Sequence, residues 1–170
     1  NEAHPTVMFL YEMAKFPKPV VAAVAGLAIG IGTTVLLHCD LVYSTADCRF
    51  QLPFTQLGLC PEAGSSLLLP LLIGHQRASS LLLLSEAIDG NEAWRIGLVN
   101  QLVAKEEVLE FALNKARKLA ALPTDAVQSS KRLMKAGGAV QQTIALELVD
   151  FSRLLQGPDC QKVIQQFFRG

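Results

Sequence analysis

The chain has 170 residues and a mass of 18.4 kDa, enough for one domain with a substantial core and too few for two. Hydrophobic residues make up 51% and charged residues 18%, a balance that excludes intrinsic disorder. Fifteen basic residues offset fifteen acidic ones, so there is no electrostatic footprint for nucleic acid or an anionic membrane.

In chain order, Glu2–Phe16 reads as an amphipathic helix stopped by the breaker Pro17-Lys18-Pro19. Val20–Val24 is a short β-favouring run that suits a strand buried on both faces. Gly26, Gly30 and Gly32 then crowd a loop that opens a helix from about Gly32 to Cys39. Leu41–Ser44 and Arg49–Leu52 read as strands. Ser65 or Ser66 reads as the N-cap of the apolar run Leu67–Ile73, which Gly74 ends. Helices follow over Gln76–Leu84, Glu106–Leu122, Asp125–Lys135, Gln141–Leu155 and Pro158–Phe168, with a turn at Gly90–Ile96 and a strand at Leu98–Val103. Strands alternating with helices, then helices alone, predict an α/β layer with a helical appendage.

From Pro19 to Cys39 run twenty-one residues without a formal charge, long enough to span a bilayer. The segment changes midway from β-favouring valines to crowded glycines and has no aromatic belt, which favours a soluble core. Asn1-Glu2-Ala3-His4 lacks the basic region that opens a secretory signal. The four cysteines, Cys39, Cys48, Cys60 and Cys160, show no C-x-x-C spacing and read as reduced, buried thiols.

Two places suit chemistry. The turn Gly30-Ile31-Gly32 leads into a helix, where unpaired N–H groups and the helix dipole favour a phosphate or a thioester oxyanion. Its spacing is not a dinucleotide-binding fingerprint, and a role in helix–strand packing is an equal reading. Glu62 stands in Cys60-Pro61-Glu62-Ala63-Gly64-Ser65-Ser66 among apolar or small neighbours. Partial burial would raise its pKa toward general-base range, and the competing reading is a surface glutamate at a helix N-terminus. Asp40, at the end of the first core helix, reads as a cap or one half of an ion pair. His4, His38 and His75 fall at no metal-ligand spacing, so no metal is expected. Serines 65, 66, 79 and 80 lack a G-x-S-x-G elbow. Lys131, Arg132 and Lys135 form a basic stripe read as a solvated face, with contact to an anionic cofactor tail as the alternative.

From Lys18-Pro19-Val20-Val21-Ala22-Ala23-Val24-Ala25-Gly26 through Gly30-Ile31-Gly32 to Cys39-Asp40-Leu41-Val42-Tyr43, the chain resembles the crotonase (enoyl-CoA hydratase/isomerase) superfamily. Arg49-Phe50-Gln51-Leu52-Pro53-Phe54, Leu57-Gly58-Leu59-Cys60-Pro61 and Ala93-Trp94-Arg95-Ile96-Gly97-Leu98-Val99-Asn100 continue the match in order. The resemblance implies an α/β fold with a crotonase-like (ClpP/crotonase) β-β-α superhelix core, partial over residues 1–105, and a helical trimerisation region over 106–170. It implies a site in which two backbone N–H groups hold a thioester enolate, one of them from Ile31 or its neighbour Gly32 at the Gly30 turn. The other belongs in the family to an Ala-Gly-x-Asp segment that these residues do not contain, so the resemblance implies either that the first third of the family fold lies outside them or that the protein is a degenerate half-site.

Hydratases of this family carry two glutamates, at positions occupied here by Thr34 and Phe54. Glu62 instead resembles the single glutamate of peroxisomal-type Δ3,Δ2-enoyl-CoA isomerases, set in a Pro-Glu-x-x-Ser-Ser context. The implied activity is therefore a 3-enoyl-CoA to 2-enoyl-CoA isomerase with Glu62 as the one acid/base and Ala28, Thr34, Phe54, Leu59 and Pro61 lining the pocket. A hydratase using another base, or a non-catalytic module that binds coenzyme A or a protein, are the competing functions. The expected substrate is an acyl-CoA thioester, with coenzyme A entering as part of it and no separate cofactor. Neither nucleic acid nor a membrane is an expected partner. Apolar positions Ile144, Leu148, Phe151, Leu154 and Leu155, then Val163, Ile164, Phe167 and Phe168, suit the family's trimers and hexamers. Phe168-Arg169-Gly170 is not a peroxisomal address, so a cytoplasmic location is the default expectation.

Overall fold

Helix α1 runs Pro5–Lys15, begins at His4, whose Nδ1 accepts the Thr6 amide, and ends ahead of Pro17 as the breaker requires. The computed structural model describes residues 4–135 and 139–168, so the expected helix start at Glu2 and the terminal Arg169-Gly170 lie outside the described residues. Strands β1 (Val21–Val24) and β2 (Leu27–Ile29) follow, then α2 (Ile31–Thr34), a 3-10 turn (Val35–His38), β3 (Leu41–Ser44) and β4 (Arg49–Gln51). Beyond them come α3 (Ser65–Ile73), α4 (His75–Leu82), β5 (Ile88–Asp89), α5 (Gly90–Arg95) and β6 (Gln101–Leu102), and finally α6 (Val108–Ala120), α7 (Thr124–Met134), α8 (Ala139–Leu155) and α9 (Pro158–Phe167).

Two three-stranded sheets form, in the orders β1-β3-β6 and β2-β4-β5. All pairings are parallel except β4 with β5. Val21 pairs with Leu41 and Leu27 with Arg49, so the β1–β2 unit and the β3–β4 unit stack as successive turns, each strand pair in its own sheet. Between the sheets and helices α3, α4 and α5 lies the main core, built on Phe50, Leu52, Leu69, Ala78 and Ala93. Burying side chains of the size of Phe50 or Leu69 contributes about 1.5–3 kcal/mol each. Helix α6 covers the other face of β1 and β3, where Val108 and Ala112 pack on Tyr43 and the Phe111 ring meets Tyr43 edge-on at 5.0 Å.

Several expectations need correction. The uncharged stretch 19–39 is divided among β1, β2, α2 and the 3-10 turn, and no helix among the described residues is long and apolar enough to cross a membrane. The supposed glycine loop contains β2, because Leu27-Ala28-Ile29 finds a parallel partner in β4 that local sequence does not announce. β1 is not buried on both faces: it is an edge strand and Ala23 is exposed. Neither Ser65 nor Ser66 caps α3; Gly64, in the left-handed conformation at φ 73°, holds that position. The turn at Gly90–Ile96 is helix α5, capped by Asp89, which accepts the Glu92 amide at 2.8 Å. The strand expected at Leu98–Val103 shortens to Gln101–Leu102, and Ile88–Asp89 adds an unexpected one. All four cysteines are free thiols, but only Cys48 and Cys160 are buried.

Candidate active site

Gly30 ends β2 with φ 56° and ψ −120°, a conformation that a side chain would strain. Its amide donates to Gln51 of β4, and its carbonyl accepts the amides of Thr33 and Thr34, which fixes the turn against the sheet. The amides of Ile31 and Gly32 donate to no acceptor among the described residues, at the positive end of α2. Ile31 is 39% exposed, so this corner of the fold is open.

Thr34, at the last position of α2, joins this turn to the carboxylate. Fully buried, it donates its hydroxyl to Glu62 Oε1 at 2.5 Å. Glu62 is half-buried, and removal from water pushes its pKa above the model-peptide 4.5; the Thr34 hydrogen bond opposes the rise, and the negative charge of Glu147 adds to it. The segment behind it is unusual: Ala63 and Gly64 are consecutively left-handed, at φ 62° and 73°. Two groups hold that shape. Buried His38 sets Nε2 2.7 Å from the Ala63 carbonyl, in a site where burial lowers the imidazole pKa and favours the neutral donor. From α8, the Glu147 carboxylate accepts the Gly64 amide at 2.6 Å, the Ser66 amide at 3.0 Å and the Ser66 hydroxyl at 2.5 Å.

Of the expected site residues, Gly30, Ile31, Gly32, Thr34 and Glu62 come together in this way. Ala28 and Phe54 lie in the main core and Leu59 packs against it, while Pro61 is half-buried beside Glu62 in the chain. Glu147 was not anticipated. Its signal in the sequence is an acid on the apolar stripe of α8, between Ile144 and Phe151.

Of the basic stripe only Arg132 is solvated; the two lysines are not. Lys131 is buried and pairs with Asp40 at 2.7 Å, and Lys135 donates to the His38 carbonyl at 2.8 Å. Asp40 is thus an ion-pair partner, and it also accepts the Val20 amide at 2.7 Å. A cavity of about 770 Å³ opens between α1, α3, α7 and α8, with His38 and Val140 in its wall, but Glu62 is not among its lining residues. No group of three or more His, Cys, Asp or Glu among the described residues could hold a metal ion.

Residues 4–169 match the enoyl-CoA hydratase/isomerase family. Enoyl-CoA delta isomerase 2 of Rattus norvegicus is 35% identical over 127 residues, 75% of this chain and 32% of the relative. The 2,3-dehydroadipyl-CoA hydratase of Escherichia coli is 34% identical over 156 residues, 91% of this chain and 61% of the relative. The chain therefore spans less than two thirds of the length of these curated relatives. A crystal structure of an enoyl-CoA hydratase/isomerase from Pseudoalteromonas atlantica aligns with a TM-score of 0.94 at 38% identity, covering 99% of this chain and 69% of that one. The stacked β-β-α turns are the crotonase fold, and the chain belongs to the enoyl-CoA hydratase/isomerase family.

Proposed function

We propose that the protein moves the double bond of a 3-enoyl-CoA to the 2-position, with Glu62 as its single acid/base. The observation that carries this reading is the pairing of a half-buried Glu62 with the hydroxyl of Thr34, which ends the short helix whose first amides, those of Ile31 and Gly32, find no acceptor among the described residues. The thioester carbonyl makes the C2 proton acidic; Glu62 takes it, and the enolate charge rests on the amides of the turn. The same carboxyl returns the proton at C4, which closes the cycle without water. The positions of the hydratase glutamates hold a threonine whose hydroxyl is committed to Glu62 and a phenylalanine buried in the core. Neither can activate water.

A hydratase is the second reading, favoured by the dehydroadipyl-CoA hydratase that aligns over 91% of this chain. Product analysis separates the two. Offered a 3-enoyl-CoA, the protein is expected to yield the 2-enoyl isomer of unchanged mass. Offered a 2-enoyl-CoA, it is expected to give no product heavier by one water. Accumulation of the hydrated product alone would sink the isomerase reading, and binding of coenzyme A without either turnover would support a non-catalytic module.

Glu62 must be ionised to accept a proton, so kcat/KM is expected to rise with pH through a midpoint above 4.5. Thr34→Val removes the one hydrogen bond that favours the carboxylate. Without a bond to the charged form the carboxyl holds its proton more tightly, so this acid limb is expected to move to higher pH. A limb that stays in place assigns the titration to another group.

We propose that the chain assembles as a homotrimer or hexamer. Much of the expected apolar material packs on its own chain: Ile144 is buried and Phe151 joins the main core. A different face of α8 remains open at Leu146 and Val149, each at least 70% exposed, and Phe167 and Phe168 at the end of α9 are more than 80% exposed. Each such aromatic presents about 150–250 Å² of surface. Light scattering is expected to give three or six times the chain mass, and a clean 18.4 kDa particle would refute it.

A further inference from the structure

We propose that Glu147 is the positioning residue of the Glu62 segment: from α8, its carboxylate gathers the amides of Gly64 and Ser66 and the Ser66 hydroxyl, and so sets where the Glu62 carboxyl stands. The proposal rests on Glu62 being the acid/base, as argued above.

Three hydrogen bonds of 2.5–3.0 Å converge on one side chain that is only 8% exposed. A buried carboxylate needs such donors, and two backbone amides with a hydroxyl satisfy it well. The donors need it equally. Ala63 at φ 62° is in a conformation that is unfavourable for a non-glycine residue, and such conformations persist only when their surroundings over-determine them. His38 holds Ala63 by its carbonyl on one side, and Glu147 holds the next amide on the other. Glu62 is the residue immediately before this doubly clamped pair, so its backbone position follows from both clamps. α8 also packs on α3, with Val140 close against Gly64, so the clamp stands on a helix packed against the segment that it holds. The second consequence is electrostatic. A negative charge facing the same segment disfavours the charged form of Glu62 and raises its affinity for a proton. Glu147 therefore acts on both the place and the basicity of the carboxyl without touching substrate.

The test uses Glu147→Gln, which keeps shape but turns an NH2 toward donors that need an acceptor. With a 3-enoyl-CoA, kcat is expected to fall about 10²-fold, the order of loss for a misplaced catalytic group, with KM little changed. The acid limb of the pH profile is expected to move to lower pH, since the repelling charge is gone. Ser66→Ala leaves the charge and removes one bond, so it is expected to lower kcat less and to leave the acid limb where it is. A measurement free of turnover accompanies these: titration of the Glu62 side-chain carboxyl by 13C NMR, assigned by its disappearance in Glu62→Gln, with a lower midpoint expected in Glu147→Gln. A Glu147→Gln protein that melts earlier but keeps the parent kcat, acid limb and Glu62 midpoint overturns the proposal, because the residue then only staples α8. Should Glu147→Gln fail to fold, Ser66→Ala decides, and an unchanged kcat there overturns it. If Glu62→Gln itself retains turnover, the acid/base reading fails, whereas the Glu62 midpoint still decides whether Glu147 acts on that carboxyl.

Discussion

Glu62→Gln is expected to lower isomerase turnover by about two to four orders of magnitude, the usual cost of losing a general base. The amide keeps the volume and can still accept the Thr34 hydroxyl, so the loss reports proton transfer rather than collapse of the site. Stability supplies the control. Burial raises the Glu62 pKa in the folded state, so between 4.5 and that raised value the native protein holds more proton than the unfolded chain. The stabilisation from this proton is complete below 4.5 and is lost as pH rises through the folded value. Glu62→Gln has no proton to lose, and its stability at neutral pH is expected to equal or exceed that of the parent in urea unfolding. Full turnover in a folded Glu62→Gln protein would remove Glu62 from the mechanism.

Lys131→Ala is expected to destabilise the fold by about 3–5 kcal/mol, the cost of orphaning one half of a buried ion pair. The two side chains are 5% and 14% exposed and their charges lie 2.7 Å apart. Lys131 Nζ also donates to the Lys18 carbonyl at 2.6 Å, so it holds α7 against the chain entering β1. Without it Asp40 keeps, among the described residues, the Val20 amide as its hydrogen-bond donor and the more distant charge of Lys135, in a site that water reaches poorly. Because the loss comes from the stranded carboxylate, Asp40→Asn in the Lys131→Ala background is expected to recover part of it. The midpoint of urea unfolding at unchanged slope measures both. A loss below about 1 kcal/mol, the figure for an exposed pair, would show that the pair is not buried in solution.

Features that depend on neighbours in the chain were legible in the sequence by itself. The Pro17-Lys18-Pro19 stop, strands β1, β3 and β4, the glycine corner at Gly30, the Gly74 end of α3 and the amphipathic α6 all follow from side-chain periodicity and turn chemistry, which act over a few residues. For Glu62 the sequence left a partly buried base and a surface glutamate at a helix N-terminus as equal readings, and only the fold, which sets the side chain against Thr34, decided between them. Pairings across the chain were decided only by the tertiary structure. Strand β2 exists because β4 lies beside it, and Gly64 replaces the serines as cap of α3 because Glu147, 83 residues further on, takes the amides there. Lys131 looks like surface on its own helix and becomes core because Asp40, 91 residues away, needs its charge. Periodicity records which face of a helix is apolar, whereas the partner of a buried charge is set by packing and leaves no trace at short range.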